Sequence, residues 1–359
     1  MSARRGSSRG ARRRLVRAAL VLTGGLALAC ATIASDAGDL DARRPNALAG
    51  PFRELREAED RSSVAEAPNV LANSSGSIEY ADPCVLDLDG GGPAGRVALY
   101  VATTLGGVSG IYRYLADDAR TFPNTPDPPE PVLAASLAWE GGALRAPHVL
   151  HVGDTYELYY SAAGGIGVAT STDGARFVAA AEPLLTAAGA ASWEGGAAPA
   201  SPAVIEVAPG DVRLFYEAGG RIGEAQSSDG RAFERVGAEP VLEPSAPNPA
   251  EVMFDDVWVG DPHAVMATSA EGRRILRVYY AGEAADGTRG IGLGGRFGEG
   301  RLDRAVSTVF SLTRGSRAPF VLTDGAMALL YVAQRTGTTS AQRHLAIALG
   351  VAPGDAVLP

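Results

Sequence analysis

Among the aspartates that stand directly before a proline, two open an apolar run: Asp82 in Ala-Asp-Pro and Asp261 in Gly-Asp-Pro-His. Two carboxyl groups can share one hydrolysis, because one donates a proton to the leaving group while the other takes a proton from water. The two residues are far apart in the 359-residue sequence. This chemistry therefore requires a fold that brings the two Asp-Pro pairs to one place.

An internal repeat predicts such a fold. The stretch from Trp139 to Phe177 recurs from Trp193 to Phe233, and each copy begins with Trp-Glu-Gly-Gly and ends with Ser-x-Asp-Gly-x-x-Phe. Between these ends lie an x-Pro pair, which opens an apolar run, and a strand that contains tyrosine. Self-similarity of this kind is typical of repeat architectures.

The x-Pro pair occurs five times, and its prolines are 55 to 64 residues apart. Four short strands per unit predict an all-β fold, a five-bladed β-propeller with four antiparallel strands per blade. The first strand of each blade lines the axis of a propeller, so the residue before each proline, here termed the anchor, faces one end of the channel. The five anchors are Asp82, Ala146, Ser201, Asp261 and Ala318.

The segments before the repeats predict export. Residues 1–30 combine an arginine-rich start with an apolar run from Leu15 to Leu28 that is too short for a membrane span, as in a signal peptide. Cys30 follows Ala-Leu-Ala, which is similar to a bacterial lipobox and predicts lipidation of that cysteine. The expected protein is a monomer anchored by lipid to a bacterial membrane, periplasmic or at the cell surface, with plain secretion as the alternative. Residues 31–77 are interpreted as a disordered tether and 78–359 as the propeller.

Charge and cysteine content limit the partners. The formal net charge is −9, although seven arginines lie within the first 17 residues, and so acidic a chain repels a phosphate backbone. We therefore expect no nucleic-acid partner. No group of Cys and His residues has metal-ligand spacing, so the sequence predicts neither a metal nor a cofactor.

The repeated motifs resemble those of the five-bladed glycoside hydrolase superfamily. The five x-Pro anchors, the Leu-Tyr-Tyr strand and the Ile-Gly-x-Ala-x-Ser-x-Asp-Gly hairpins are similar to family 43, a relative of the levansucrases and invertases. The resemblance covers Glu79 to the C-terminus. It implies an enzyme that hydrolyses glycosidic bonds of an oligo- or polysaccharide by an acid/base carboxylate pair.

The same resemblance implies roles for the anchors. Asp82 matches the catalytic base, and Asp261 stands where the family has a glutamate as general acid. Ser201 replaces an aspartate that tunes the pKa of that acid. Because aspartate is one methylene shorter than glutamate, Glu283 is a reserve candidate for the general acid. These departures leave open an alternative, a catalytically inactive carbohydrate-binding propeller lipoprotein.

Other polar residues near the predicted channel mouth are candidates for substrate binding. Arg145 and Arg317 both precede Ala-Pro, and they could bind an anion or offset the acids. Glu217 ends a second strand where loops reach the cleft. The full set of predicted substrate-binding residues is Ser201, His263, Arg145, Arg317 and Glu217.

Three further acids and two histidines are predicted to be structural. A residue repeated in successive units is more often a scaffold contact than a catalyst, because a catalyst is needed only once; this applies to Glu140, Glu194 and Asp255. His148 and His263 follow an anchor proline, so strand alternation predicts that they point away from the anchors. A third interpretation, an interaction scaffold without a sugar ligand, predicts an axial pocket filled by side chains.

Overall fold

The computed structural model describes residues 52–54, 70–71, 78–246, 253–268, 273–305, 309, 315–323, 327–336 and 344–353. The predicted signal peptide and Cys30 lie outside these residues, as does most of the predicted tether. Over the described residues the chain is an all-β propeller with four-stranded antiparallel blades and no α-helix. None of the described helical turns is long and apolar enough to cross a membrane.

The described strands pair into four-stranded antiparallel sheets, and in four of these sheets neighbours in sequence are neighbours in space. The first sheet contains β2 (Ala81–Asp87), β3 (Val97–Leu105), β4 (Val108–Ala116) and β5 (Leu133–Ala134). The second contains β6 (Arg145–Val152), β7 (Thr155–Ala162), β8 (Gly165–Ser171) and β9 (Val178–Ala179). The third contains β10 (Ala200–Ala208), β11 (Asp211–Ala218), β12 (Arg221–Ser227) and β13 (Glu234–Arg235).

The fourth sheet contains β14 (Trp258–Thr268), β15 (Arg274–Glu283), β16 (Arg289–Arg296) and β17 (Asp303–Arg304). The fifth contains β18 (Ser316–Thr323), β19 (Met327–Thr336), β20 (His344–Pro353) and β1 (Arg53–Glu54). The first strands contact one another in a closed cycle: β2 with β6, β6 with β10, β10 with β14, β14 with β18, and β18 with β2. These inner strands therefore surround a common axis.

Part of the predicted tether belongs to the propeller, which corrects the boundary at residue 78. Strand β1 pairs with β20 and supplies the outer strand of the fifth sheet. Phe52 is 6 % exposed and packs against Tyr279 in the core, while Val70 and Leu71 are buried against the first sheet. A strand this short carries almost no periodic signal, so its composition alone made it look like a linker.

Aromatic residues on the middle strands form the core between neighbouring sheets. Trp139 stacks on Tyr160 with ring centroids 5.9 Å apart, and Trp193 stacks on Tyr216 at 6.2 Å. The Ser-x-Asp-Gly turns link the sheets, because the Tyr100 hydroxyl donates to the Gly174 carbonyl of the next sheet at 2.8 Å. Burial of these large rings is the main stabilising contribution of the repeat.

All five anchors share an unusual backbone conformation. Their φ angles are positive, between 47° and 56°, and they are the only non-glycine residues with positive φ in the described part of the chain. A register shift follows each anchor, where the first strand departs from regular pairing with the second. Such residues cost about 1–3 kcal/mol each, so the surrounding sheets must impose the conformation. The bulge changes the direction of the anchor side chains relative to the rest of the strand.

Candidate active site at the channel mouth

Four of the anchors line two spaces of very different size, and Ala318 lines only the smaller one. The inner pocket, bounded by the anchor prolines with His148, His263 and Phe320, has a volume of about 30 Å³, which is the share of one water molecule in the liquid. The outer space is a cleft of about 580 Å³, within the usual range of about 300–1,000 Å³ for ligand sites. The axial channel is therefore nearly filled, while its mouth is open.

Asp82 is a half-buried carboxylate that lines both spaces. Its Oδ2 accepts a hydrogen bond of 3.0 Å from the N–H of Ala146 on the neighbouring sheet. Burial, followed by the negative charge of Asp261, raises the pKa of Asp82, and the Ala146 N–H and two nearby arginines offset only part of this effect. A carboxylate with few partners and a raised pKa is suited to accept a proton.

Asp261 has more partners than Asp82. Its Oδ1 accepts from the Ser201 hydroxyl at 3.0 Å. Its Oδ2 accepts from Arg317 Nε at 3.0 Å and from the N–H of Ala318 at 3.2 Å. Three donors around one carboxylate, one of them a cation, suit a charged acceptor rather than the proton donor that the sequence predicted here.

Glu217 reaches the same cleft from the end of β11 in the third sheet. Its Oε1 accepts from Trp258 Nε1–H at 2.9 Å, and its Oε2 lies 3.4 Å from the N–H of Asp261. Burial, followed by the charge of Asp261, raises the pKa of Glu217 to about 7. The Trp258 N–H and Arg317 act in the opposite direction. Glu217 can therefore hold a proton near neutral pH.

Two arginines complete the charge pattern of the cleft. Arg317 pairs with Asp261, and its guanidinium lies 4.5 Å from the centre of the Trp258 ring. Arg145 is exposed and lines the cleft beside Asp82, where its charge lowers the pKa of that aspartate. Asp82, Glu217 and Asp261 therefore converge with two guanidinium groups at the channel mouth, and the fully buried Glu140 also lines this cleft.

Two of the predicted site residues lie outside this cleft. Glu283 is not among the cleft residues and instead accepts from Arg289, with Oε2 and Nε 2.8 Å apart. His263 is 4 % exposed at the inner pocket, where its ring centroid lies 4.0 Å from that of Phe320. Neither side chain is placed to contact a ligand in the cleft, so the sequence-based roles of both residues are corrected.

His148 and His263 line the inner pocket, which Asp82 and Asp261 also line, but neither histidine lines the outer cleft. The Nε2 atom of each ring contacts a backbone carbonyl of the following sheet, at 2.8 Å from Val204 for His148 and at 3.3 Å from Val321 for His263. Burial lowers the pKa of His148 to about 4 and, with His148 adding to the effect, that of His263 to about 3. Both rings are therefore neutral at pH 7.

The repeated acids are scaffold contacts, as predicted. Glu140 is fully buried and accepts from the N–H groups of Ser136 and Leu137 and from the Tyr160 hydroxyl, at 2.6–2.7 Å. Glu194 and Asp255 are equally buried and accept from the tyrosines at the matching positions of their sheets. Each acid ties a turn to a middle strand.

Trp258 and Gly260 are site residues that the sequence motifs did not reveal. Trp258 stands three residues before its anchor, where the other units have Glu79, Ala143, Ala198 and Gly315. A tryptophan at a position where the other units have no aromatic residue could have identified Trp258 as a site residue. Among the described residues there is no cluster of three or more His, Cys, Asp or Glu side chains that could hold a metal ion.

Comparisons with known proteins show what this architecture resembles. No protein-family model and no curated protein matches the sequence. Among solved structures, the catalytic domain of Coprinopsis cinerea GH62 α-L-arabinofuranosidase is 12 % identical, with a TM-score of 0.56 over 79 % of this chain and 95 % of that chain. A thermostable family-43 glycoside hydrolase is 17 % identical, with a TM-score of 0.56 over 79 % and 96 %.

The α-L-arabinofuranosidase of Podospora anserina, solved in complex with cellotriose, is 12 % identical, with a TM-score of 0.55 over 79 % of this chain and 94 % of that chain. In all three cases the similarity extends over nearly the whole of the other structure. At such low identities it establishes the architecture and not the activity. The described chain has the propeller fold that these glycoside hydrolases share.

Proposed function

We propose that this protein is a five-bladed propeller glycoside hydrolase that cleaves O-glycosidic bonds in an oligo- or polysaccharide. Each of the five four-stranded sheets is taken as one blade, since the inner strands contact one another in a closed cycle. The observation that carries the proposal is the open cleft at the channel mouth, in which Asp82, Glu217 and Asp261 meet. Glycoside hydrolysis needs two such carboxyl groups, one as acid and one as base.

Asp82 is assigned as the base. Its raised pKa strengthens its attraction for a proton, while Arg145 and the Ala146 N–H keep the carboxylate form accessible. Asp82 takes a proton from water as the water oxygen bonds to the anomeric carbon. The glycosidic C–O bond breaks, and its electron pair leaves with the departing oxygen. A second carboxyl group of the cleft protonates that oxygen.

The cleft is suited to a sugar chain of several residues. Its walls are built largely from small side chains, so a bulky and branched ligand meets little steric hindrance; these are Ala81, Ala143, Ala162, Ala163, Ala200 and Ala333. Two of the similar solved structures contain xylotriose and cellotriose. An oligosaccharide with hydroxyl groups facing the carboxylates and arginines is the proposed ligand.

Export and lipid anchoring form a separate part of the proposal. The arginine-rich start, the apolar run and Cys30 support it. Metabolic labelling with a radioactive fatty acid in a bacterial host should label the full-length protein and not its Cys30→Ala variant. Equal labelling of both forms, or a protein that stays in the cytoplasm, would contradict lipid anchoring at this cysteine.

The test of the enzymatic proposal is turnover of a panel of aryl glycosides and oligosaccharides. We expect hydrolysis that falls by at least about a hundredfold in Asp82→Asn. Asp154→Asn is the matched control, since Asp154 is exposed in the β6–β7 turn, at the opposite end of β6 from its anchor. Glycan binding without turnover of any substrate would contradict hydrolysis and support the inactive carbohydrate-binding alternative.

A further inference from the structure

The cleft contains a carboxyl group from an unexpected strand. We propose that Glu217, supplied by the third sheet, is the proton donor of the reaction, and that the Trp258 indole N–H positions it. This inference rests on the proposed glycosidase function. It moves the acid from the anchor of the fourth sheet, where the sequence placed it, to the end of β11 in the sheet before.

The first observation is the space above Gly260. A Cβ atom placed on Gly260 would lie 2.3 Å from Glu217 Oε2 and 2.3 Å from Cζ2 of Trp258, closer than real Cβ contacts. The Glu217 carboxyl group thus occupies the volume that a side chain at position 260, directly before the Asp261 anchor, would fill. Glycine at this position is what allows an acid from the neighbouring sheet to enter the cleft.

The second observation is how unequally the two Glu217 oxygens are held. Oε1 is fixed by the Trp258 indole N–H at 2.9 Å, whereas Oε2 has only a long contact of 3.4 Å with the N–H of Asp261. One oxygen therefore sets the orientation of the carboxyl group, and the other can carry a proton. The alternatives lack this arrangement, because both oxygens of Asp261 are engaged and Glu283 lies outside the cleft.

The charges around Glu217 support the same role. Asp261 repels its ionised form, while Arg317 and the Trp258 N–H favour it, and the net result with burial is a pKa of about 7. The other charged groups that line the cleft are Asp82, Arg145 and the buried Glu140, whose oxygens accept from two backbone N–H groups and the Tyr160 hydroxyl. Glu217 is consequently protonated below about pH 7 and ionised above it. Activity should fall as the pH rises through this value, because an ionised carboxylate cannot donate.

The proposed step balances in atoms and electrons. As the glycosidic C–O bond breaks, the Glu217 O–H bond also breaks, and the proton passes to the departing oxygen. The water hydroxyl bonds to the anomeric carbon, and the second water proton passes to Asp82. Solvent then returns a proton to Glu217 and removes one from Asp82, so no oxidant, reductant or co-reactant is needed.

The experiment compares leaving groups in wild type and Glu217→Gln. A sugar leaving group needs protonation, whereas 2,4-dinitrophenolate leaves without it. We expect Glu217→Gln to lose about 10²- to 10⁴-fold in kcat/KM on an oligosaccharide and less than about tenfold on the dinitrophenyl glycoside. The basic limb of the pH profile should also disappear in this variant. An equal loss on both substrates, or a basic limb that persists, would overturn the inference.

Two further variants separate this inference from the proposed function. If the wild-type protein hydrolyses no substrate, the proposed function fails. If the wild-type protein is active, Asp82→Asn is inactive and Glu217→Gln behaves as wild type, only the inference about Glu217 fails. Trp258→Phe keeps a ring and removes the donor that favours ionised Glu217. Its basic limb should move to higher pH, and an unchanged limb would contradict the role of Glu217 even if Glu217→Gln failed to fold.

Discussion

Two groups of three carboxyl residues show how the repeated scaffold and the cleft differ. The scaffold group is Glu140, Glu194 and Asp255, and the cleft group is Asp82, Glu217 and Asp261. Each scaffold acid is almost completely buried and accepts from a tyrosine hydroxyl of its own sheet. The cleft acids come from three different sheets, repel one another and are only partly balanced by two arginines.

The difference indicates which acids stabilise the fold and which acids are available for chemistry. A buried acid that is hydrogen-bonded to a tyrosine holds a turn in place, and the same arrangement recurs in three successive sheets. The cleft acids occur where the repeat is broken, and two of them have raised pKa values because their environment disfavours the charged form. Removing a scaffold acid should therefore cost stability, and removing a cleft acid should cost activity.

The largest expected effect on stability is at Glu194. This residue is fully buried and accepts from Arg235 Nε at 2.7 Å and from the Ala191 N–H at 3.0 Å. Glu194→Ala leaves a largely buried guanidinium without its carboxylate, so the free energy of unfolding should fall by about 3–5 kcal/mol in urea titration.

Asp82→Asn is the cleft counterpart in the same measurement. The raised pKa of Asp82 means that folding disfavours its ionised form, so at pH 7 its charge costs stability and amide replacement should leave stability unchanged or slightly higher. Equal destabilisation by Glu194→Ala and Asp82→Asn would remove the distinction between the two groups.

The next effect concerns the neutral histidines beneath the charged cleft. His148 has an unfolded-state pKa of about 6.5 and a folded-state pKa of about 4, so the unfolded chain binds more protons between these values. Its contribution to stability is lost as the pH falls from about 6.5 towards 4, and the full loss is about 3 kcal/mol. His148→Leu should remove this dependence in unfolding measurements at pH 7 and 4.5.

His151→Leu is the matched control, because His151 is exposed and stacks on Tyr156. Asp82 and Glu217 act in the opposite direction, since protonation relieves their repulsion as the pH falls. The difference between variant and wild type isolates the histidine. A His148→Leu variant with the same pH dependence as wild type would contradict a neutral buried ring.

The sequence predicted the parts of the molecule that repeat. Five x-Pro anchors in one register required a common axis, and this requirement alone placed Asp82, Ser201 and Asp261 together at one end of the channel. The repeat also identified the scaffold acids, because each of them recurs next to an aromatic residue. Strong periodic patterns of this kind can be recognised in a single sequence.

The sequence could not predict features that depend on the bulge. Positive φ and a register shift at each anchor bring both the anchors and His148 and His263 to the inner pocket, which strand alternation alone does not predict. The entry of Glu217 depends on an absent side chain at Gly260, which lies on a strand of the neighbouring sheet. Strand β1 depends on pairing with the far end of the chain. Each of these features depends on contacts between residues that are far apart in the sequence, so no local sequence pattern predicts it.

A smaller effect is expected where glycine allows aromatic stacking. A Cβ atom on Gly223 would lie 2.5 Å from Tyr216 Cζ and 2.7 Å from Cη2 of Trp193. Because both rings are rigid and packed, Gly223→Ala should lower the free energy of unfolding by about 1–3 kcal/mol. Gly294→Ala is the control, since its nearest neighbour is the Leu302 Cβ at 3.1 Å and its cost should be less. A reversed order would contradict the role of the aromatic stack.

The smallest effect should come from Ser201, which tests the boundary between scaffold and cleft. Alanine already occupies two of the five anchors with the same positive φ, at Ala146 and Ala318, so Ser201→Ala removes the hydroxyl and leaves the backbone unchanged. The hydroxyl donates one bond of 3.0 Å to Asp261, which keeps Arg317 and the Ala318 N–H as partners. We expect a loss of about 1 kcal/mol in stability and less than tenfold in kcat/KM. A loss in kcat/KM as large as that of Asp82→Asn would mean that the Ser201 hydroxyl contacts the substrate itself. Ser201 would then belong to the reactive part of the cleft together with the anchors Asp82 and Asp261.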